Sequence, residues 1–462
     1  MKTYNSVNEL LSSVKGCMDI KKDALKITDT KKLRAEIIDE LAYNMCLSDN
    51  QDIREAISYI VWKAAKELGI YPSSIHDFYE SRGKGAYSGL TVPAINIRGL
   101  TYLVARAIFK TAIKNNTGTF IFEIAKSEIG YTKQRPMEYA TICLAAAIKE
   151  GFSGPVFIQG DHFQAKASNY FKDSEKELDG LKSLIKEAID AGFYNIDIDS
   201  STLVDLSKST ILDQQENNFE VAAALTKYIR DLEPDGITVS VGGEIGEVGK
   251  KNSTPEELRA FMQGYNDSLN SGMTGLSKIS VQTGTSHGGV VLPDGSIAKV
   301  NLDFDTLATL SKIAREEFKM SGAVQHGAST LPDEAFHRFP ETETAEVHLA
   351  TGFQNIIYDH PALPSDLREQ IYSWLKSELS DEWKEGWTED QFIYKTRKKG
   401  FGPFKKQLLD LPEKNLKSIS EKLESTFDFL FHKLDVVNTR ELIAKYVKPK
   451  EVEKPMPKSL CN

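Results

Sequence analysis

Residues 181–200 read LKSLIKEAIDAGFYNIDIDS. Leu181, Leu184, Ile185, Ala188 and Ile189 follow the i, i+3, i+4, i+7, i+8 spacing that lines one face of a helix. Gly192 comes next, the residue type that most readily takes the left-handed conformation closing a helix. The β-rich run Asn195–Asp199 begins three residues later. A helix closed by glycine and passed straight into a strand is the repeating half of an alternating α/β fold.

The same alternation extends in both directions. β-rich runs occur at Val92–Ile97, Thr119–Ile124, Val156–Gln159, Asn195–Asp199, Ile237–Gly242, Ile279–Thr283, Ala323–Gln325 and Val347–Ala350, with helical patterns in most gaps. One of those helices opens at Ser253-Thr254-Pro255-Glu256-Glu257, a cap residue followed by proline and acids that complement the helix dipole. Eight strands alternating with helices over about 270 residues predict a (β/α)₈ TIM barrel. A doubly wound open sheet is the competing architecture, but no GxGxxG follows the first run. The expected organisation is a helical N-terminal extension over residues 1–86, the barrel over 87–362, and a charged helical C-terminal extension over 363–462 ending in a loose tail.

Whole-chain properties narrow the function. Of 462 residues, 40% are hydrophobic and 27% charged, as in an ordinary globular protein. The net charge of −9 argues against nucleic acid as a partner. Cys17, Cys46, Cys143 and Cys461 form no CxxC pair, which suits a reducing compartment and no disulfide framework. The start lacks the apolar core of a signal peptide, and no apolar run reaches the length of a spanning helix. The expectation is a cytoplasmic protein with no membrane partner.

The histidines carry the chemistry. His162, His287 and His326 each sit at or just beyond the C-terminal end of a predicted strand, in the settings Gly160-Asp161-His162, Ser286-His287-Gly288-Gly289 and Gln325-His326-Gly327-Ala328-Ser329. A barrel brings the C-terminal ends of its strands to one face, where active sites form. One histidine alone reads as a hydrogen-bonded core or surface residue. Three at equivalent strand ends beside glycine suit a catalytic divalent metal with an open position, zinc in the first instance. His76, His337, His360 and His432 lack that setting. Asp161 emerges beside a proposed ligand, where a carboxylate either moves a proton or supports an imidazole. Asp197 and Asp199 share one face of the fourth strand, and Asp199 is the better pocket candidate. Glu244, in Gly242-Gly243-Glu244-Ile245-Gly246, aims a carboxylate toward the same region.

In order, these motifs resemble the class II, metal-dependent ketose-bisphosphate aldolases. The likeness spans roughly residues 90–362 and includes AINIRGL, IDIDSSTL and LPDEAF. The C-terminal helical region is similar to the accessory subunit of tagatose-bisphosphate aldolases. The resemblance implies a lyase that reversibly cleaves a ketose 1,6-bisphosphate, fructose 1,6-bisphosphate by default, to dihydroxyacetone phosphate and glyceraldehyde 3-phosphate. By motif, His162, His287 and His326 hold the metal and Glu244 serves an alternative buried metal position. Asp161 exchanges a proton with the C4 hydroxyl. Gly288, Gly327 and Ser329 bind the ketose phosphate, and a homo-oligomer is expected. Such chemistry needs a preorganised positive partner for the oxygen that gains negative charge.

Two departures stand out. The family's Asn-x-Asp-Thr reads His348-Leu349-Ala350-Thr351, which keeps Thr351 as a substrate contact and loses the aspartate. The acid-rich loop after the fifth strand shrinks to Lys250-Lys251-Asn252-Ser253. The C-terminal likeness leaves room for a non-catalytic accessory subunit, and the lost aspartate for another metal-dependent sugar aldolase or epimerase. The basic segment Tyr394–Pro403 is expected to fold over the barrel mouth, with Arg397 binding the distal phosphate.

Overall fold

Eight parallel strands close into a barrel in the computed structural model, which describes residues 3–21, 24–245, 251–284, 291–293 and 302–461. They are β1 (Val92–Asn96), β2 (Ile121–Ala125), β3 (Gly154–Gln164), β4 (Asn195–Asp199), β5 (Ser240–Glu244), β6 (Lys278–Val281), β7 (Ala323–Gln325) and β8 (Glu346–Leu349). Each pairs with the next in sequence, and β8 returns to β1 through Glu346↔Val92 and Leu349↔Ile95. The (β/α)₈ expectation is therefore met. Most strands are buried along their whole length, because helices cover the outer face and side chains fill the inner one.

Local signals explain the helices around it: α1 (Thr101–Lys114), α2 (Pro136–Glu150), α3 (Ser174–Ala191), α4 (Ile211–Leu232), α5 (Pro255–Ser268), α6 (Phe304–Glu316) and α7 (Thr351–Asp359). The stripe Leu181, Leu184, Ile185, Ala188, Ile189 of α3 is buried, and Gly192 closes the helix at φ 100°. Thr254 and Glu257 form a reciprocal capping box at α5, with Pro255 in the first turn.

The terminal regions wrap this core. The N-terminal region carries the expected helices, Val7–Val14, Ile38–Leu47 and Gln51–Glu67 among them. It also contains strands that the helical reading did not anticipate. Met18–Lys21 and Ala24–Ile27 make an antiparallel hairpin, and Ile70–Ser73 adds a ninth strand in parallel to the start of β3. That strand is four residues long and contains Pro72, which its edge position tolerates. Helix His76–Gly83 then lies against the barrel, with the buried Tyr79 hydroxyl donating to Glu346 inside it. The C-terminal helix Glu413–Lys433 packs on α1 and α7, with ring contacts from Phe427 to Phe353 of α7 and from Phe431 to Phe120 just before β2. The tail expected to be loose is docked instead. Glu453 spans Lys63 at 2.6 Å and Lys66 at 2.8 Å, and the Lys454 ammonium sits 4.7 Å from the Trp62 ring centroid.

Barrel interiors are usually layered with branched aliphatics. This one carries a buried polar layer of Glu123, Gln159, Asp197, Lys278 and Glu346. Lys278 Nζ lies 2.7 Å from Gln159 Oε1 and 3.0 Å from Asp197 Oδ2, and it also pairs with Glu346. This layer forms the floor of the site.

Candidate active site and metal centre

The site starts with a break in β3. Its pairing with β4 runs Gln159↔Asn195 and Gly160↔Ile196, then skips to Phe163↔Ile198. The two intervening residues, Asp161 and His162, form a bulge, and His162 takes the left-handed φ of 41°. Bulges re-aim side chains next to active sites. A Cβ on Gly160 would lie 2.4 Å from the Phe163 ring, so only glycine lets this turn close.

From the bulge, His162 Nδ1 lies 3.0 Å from Asp199 Oδ2 at the end of β4 and 3.2 Å from Glu244 Oε2 at the end of β5. The His326 ring follows β7, with its centroid 4.3 Å from that of His162. Ser280 Oγ on β6 sits 3.0 Å from His326 Nε2. His162, Glu244 and His326 thus offer donor atoms within 4.8 Å of one another. His287 and Gly288 lie outside the described residues.

Asp199 stands apart from its expected role. It is buried and absent from the cavity wall, and its carboxylate serves His162 while receiving hydrogen bonds from Gln164 (2.6 Å) and Ser201 (2.7 Å). It fixes the imidazole rather than facing a substrate.

Electrostatics separate the carboxylates. Burial, then the Asp199 charge, pushes Glu244 up to about 7. Asp161 is buried as well, yet the imidazoles around it, His162 first, override that penalty and hold it well below the usual carboxylate range. His162 is raised well above its ordinary value because Asp161 and Glu244 outweigh the burial that opposes its charge. A crowd of carboxylates around imidazoles is also the field that a divalent cation meets, and cation binding releases the imidazole protons.

Sequence reasoning passed over His348, which it noted only as a departure. On β8 it faces inward, 5% exposed, with Nδ1 2.9 Å from Glu123 Oε2 and Nε2 2.7 Å from Glu346 Oε1. A charged or polar residue inside each of the runs FEI, KIS and EVHL was the available sign that the barrel centre is polar.

These groups open onto a cavity of about 420 Å³. Its wall includes Gly327, at φ 68°, Ser329 in the turn after β7, and Thr351 at the start of α7. Arg98, after β1, hydrogen-bonds Thr351 Oγ1 (3.3 Å), Gln354 (2.8 Å) and Glu128 (2.7 Å). The basic segment of the C-terminal region does reach this cavity, through Tyr394, Lys395 and Lys398. Arg397 does not line it. Its guanidinium is spent on Asp359 (2.6 Å) and Asn355 (2.7 Å) between the rings of Tyr358 and Tyr394, which corrects its assignment as the phosphate ligand. Lys398 makes no ion pair with a described residue. Burial, then the Arg98 charge, brings its ammonium down to about 8.

An eight-stranded barrel with imidazoles and carboxylates gathered at the C-terminal ends of its strands defines a TIM-barrel protein with a candidate metal centre. The family model of class II fructose-bisphosphate aldolases matches residues 83–398, and the chain belongs to that family. Its members are metal-dependent, lyase-type enzymes. A comparison with curated proteins finds no match. Among solved structures, a probable tagatose 6 phosphate kinase from Sinorhizobium meliloti 1021 is 16% identical, with 77% of this chain and 90% of that chain covered at a TM-score of 0.52. A fructose-bisphosphate aldolase from Campylobacter jejuni is also 16% identical, with 80% and 96% covered at 0.48. The YdjI aldolase from Escherichia coli K12 is 12% identical, with 78% and 96% covered at 0.44. Among the described residues, no helix is long and apolar enough to cross a membrane.

Proposed function

We propose that the protein is a metal-dependent aldolase that reversibly cleaves a ketose 1,6-bisphosphate, with fructose 1,6-bisphosphate the default substrate. The supporting observation is the convergence of His162, Glu244 and His326 beside an ionised Asp161, with His162, His326 and Asp161 lining a cavity that has a basic wall. Imidazoles with carboxylates fit a divalent ion, read here as Zn²⁺, and His287 is expected to join them. The bound ion supplies the positive partner for negative charge developing on the ketone oxygen.

The chain's own residues do the rest. Cleavage breaks the C3–C4 bond and turns the C4 hydroxyl into an aldehyde, so that hydroxyl must lose its proton. Asp161, held ionised by its imidazole neighbours, is the acceptor and returns the proton in condensation. Asp199 keeps the His162 ring oriented. Gly327, Ser329 and Thr351 face the ketose phosphate end, with Gly288 expected beside them. Lys395 and Lys398 serve the distal phosphate, taking the role first given to Arg397. Ala350 and His348 in place of the family's usual residues favour one second reading, a metal-dependent aldolase or epimerase acting on a different sugar.

Asp161→Asn tests the assignment. It should retain the ion held by His162, Glu244 and His326 while losing about 10²–10⁴-fold in cleavage rate. Unchanged cleavage in that variant removes Asp161 from the reaction.

A further inference from the structure

We propose that Asp161, His326 and His348 form a second divalent-cation site, one layer deeper in the barrel than the group built on His162. Their donor atoms lie within 4.8 Å of one another, and all three residues are buried: 5%, 8% and 5% exposed. The outer group of His162, Glu244 and His326 includes two half-buried members, so the deeper set is the more enclosed of the two.

The donor chemistry favours a cation over a settled hydrogen-bond network. Asp161 Oδ1 is buried with no donor in hydrogen-bond geometry, and both ring nitrogens of His348 are held through ion-pair contacts with carboxylates. Carboxylate oxygens crowd those nitrogens. Around Nδ1 stand Glu123 Oε2 at 2.9 Å and Asp161 Oδ1 at 3.4 Å, and around Nε2 stand Glu346 Oε1 at 2.7 Å and Asp197 Oδ2 at 3.7 Å. A buried polar atom such as Asp161 Oδ1 is ordinarily satisfied, and exceptions need an explanation. A metal with bonds of about 2.0–2.1 Å in tetrahedral array sets its ligand atoms about 3.3 Å apart. The Nδ1–Oδ1 separation of 3.4 Å has that spacing.

Charge points the same way. Among the described residues, Lys278 is the one lysine in ion-pair contact with any of Glu123, Asp161, Asp197 and Glu346. The carboxylates that Lys278 pairs with, Glu346 and Asp197, stand at the Nε2 end of the His348 ring, whereas Asp161 Oδ1 stands at its Nδ1 end. The Glu123 and Asp161 side of His348 has no lysine or arginine in ion-pair contact among the described residues. The His348 ring stacks on His326 with centroids 4.0 Å apart, which sets both imidazoles along one wall of the site.

The site shares His326 and Asp161 with the catalytic reading above and rests on it to that extent. An ion in the deep position ties up Asp161, so filling it takes the acid–base group out of service.

The test uses full-length, metal-stripped protein titrated with Co²⁺ alone, with bound metal measured by equilibrium dialysis and ligand type by visible absorption. His162→Ala breaks only the outer group. In that background the protein should still bind one Co²⁺, and adding His348→Asn should weaken that binding by on the order of 100-fold or more, beyond what loss of a supporting contact usually costs. His348→Gln should behave alike, with circular dichroism showing that both double variants stay folded. No Co²⁺ in His162→Ala, while wild type binds it, overturns the deep site and leaves the outer one standing. Equal Co²⁺ affinity with and without His348 also overturns it. Absence of binding in the wild type overturns the metal reading of the whole site.

Discussion

Replacing Lys278 with methionine removes one cation from a buried polar layer and keeps most of the side chain's length. The ammonium lies 3.0 Å from Asp197, 2.7 Å from the Gln159 carbonyl oxygen and in close contact with Glu346. Taking one partner from a buried pair strands the other, which typically costs about 3–5 kcal/mol. The loss should also depend on pH. In the wild type Glu346 is held below the usual carboxylate range, because Lys278 first, then His348, overrides the burial that would raise it. A depressed carboxylate contributes stability above its unfolded value and loses it as pH falls through the folded one. Without Lys278, burial dominates and lifts Glu346 and Asp197 above their unfolded values, Asp197 from about 6 already. Raised carboxylates penalise folding at high pH and stop doing so once protonated. The gap between wild type and Lys278→Met should therefore be widest near pH 8 and narrow toward pH 5.5, read from urea unfolding followed by tryptophan fluorescence. Lys278→Met/Glu346→Gln should recover part of the loss, since both charges are then gone. A gap under about 1 kcal/mol at pH 8, or one that widens as pH falls, refutes the claim that this layer is held by buried charge.

Other outcomes follow from the same geometry. Lys398→Met should raise KM for a bisphosphate about 10- to 100-fold, the value of a hydrogen bond to a charged group, with little change for the matching monophosphate. Because the Lys398 ammonium sits at about 8, wild-type KM for the bisphosphate should climb as pH passes that value, and the variant should not show this climb. Gly160→Ala sets a methyl group 2.4 Å from the Phe163 ring, which should cost about 1–3 kcal/mol in thermal unfolding and weaken metal retention by shifting the bulge that carries His162. Deleting residues 449–462 should red-shift tryptophan emission by uncovering Trp62, while lowering stability by only about 1–2 kcal/mol, because the Glu453 ion pairs are largely exposed.

The barrel was legible because its signals are local. The run Asn195–Asp199 and the run Ala323–Gln325 are strands over those same residues, and the remaining six runs overlap β1, β2, β3, β5, β6 and β8. Glycine contexts pointed to His162 and His326 for a physical reason: close turns at strand ends need small residues, and functional side chains gather there. What stayed hidden depends on contacts between distant segments. Strand Ile70–Ser73 exists because β3 offers it an edge, and nothing within GIYPS announces that. Lys395 and Lys398 face the cavity while Arg397 between them turns to Asp359, a choice made by helical phase and by a partner 38 residues away. Asp199 stands at the end of β4 but serves His162, because the bulge swings that imidazole toward it. His348 was visible only as a departure until the barrel closed and surrounded it with four carboxylates.

The most direct test of the central claim is aldol cleavage by the purified protein, followed by coupled detection of dihydroxyacetone phosphate. Fructose 1,6-bisphosphate and tagatose 1,6-bisphosphate are offered in parallel, before and after treatment with a chelator and after restoring Zn²⁺. The account predicts cleavage of at least one bisphosphate, its loss on chelation and its return with the metal, and the same loss in His162→Ala and His326→Ala. Cleavage that survives complete metal removal, or no cleavage of either sugar by the zinc-loaded wild type, contradicts it.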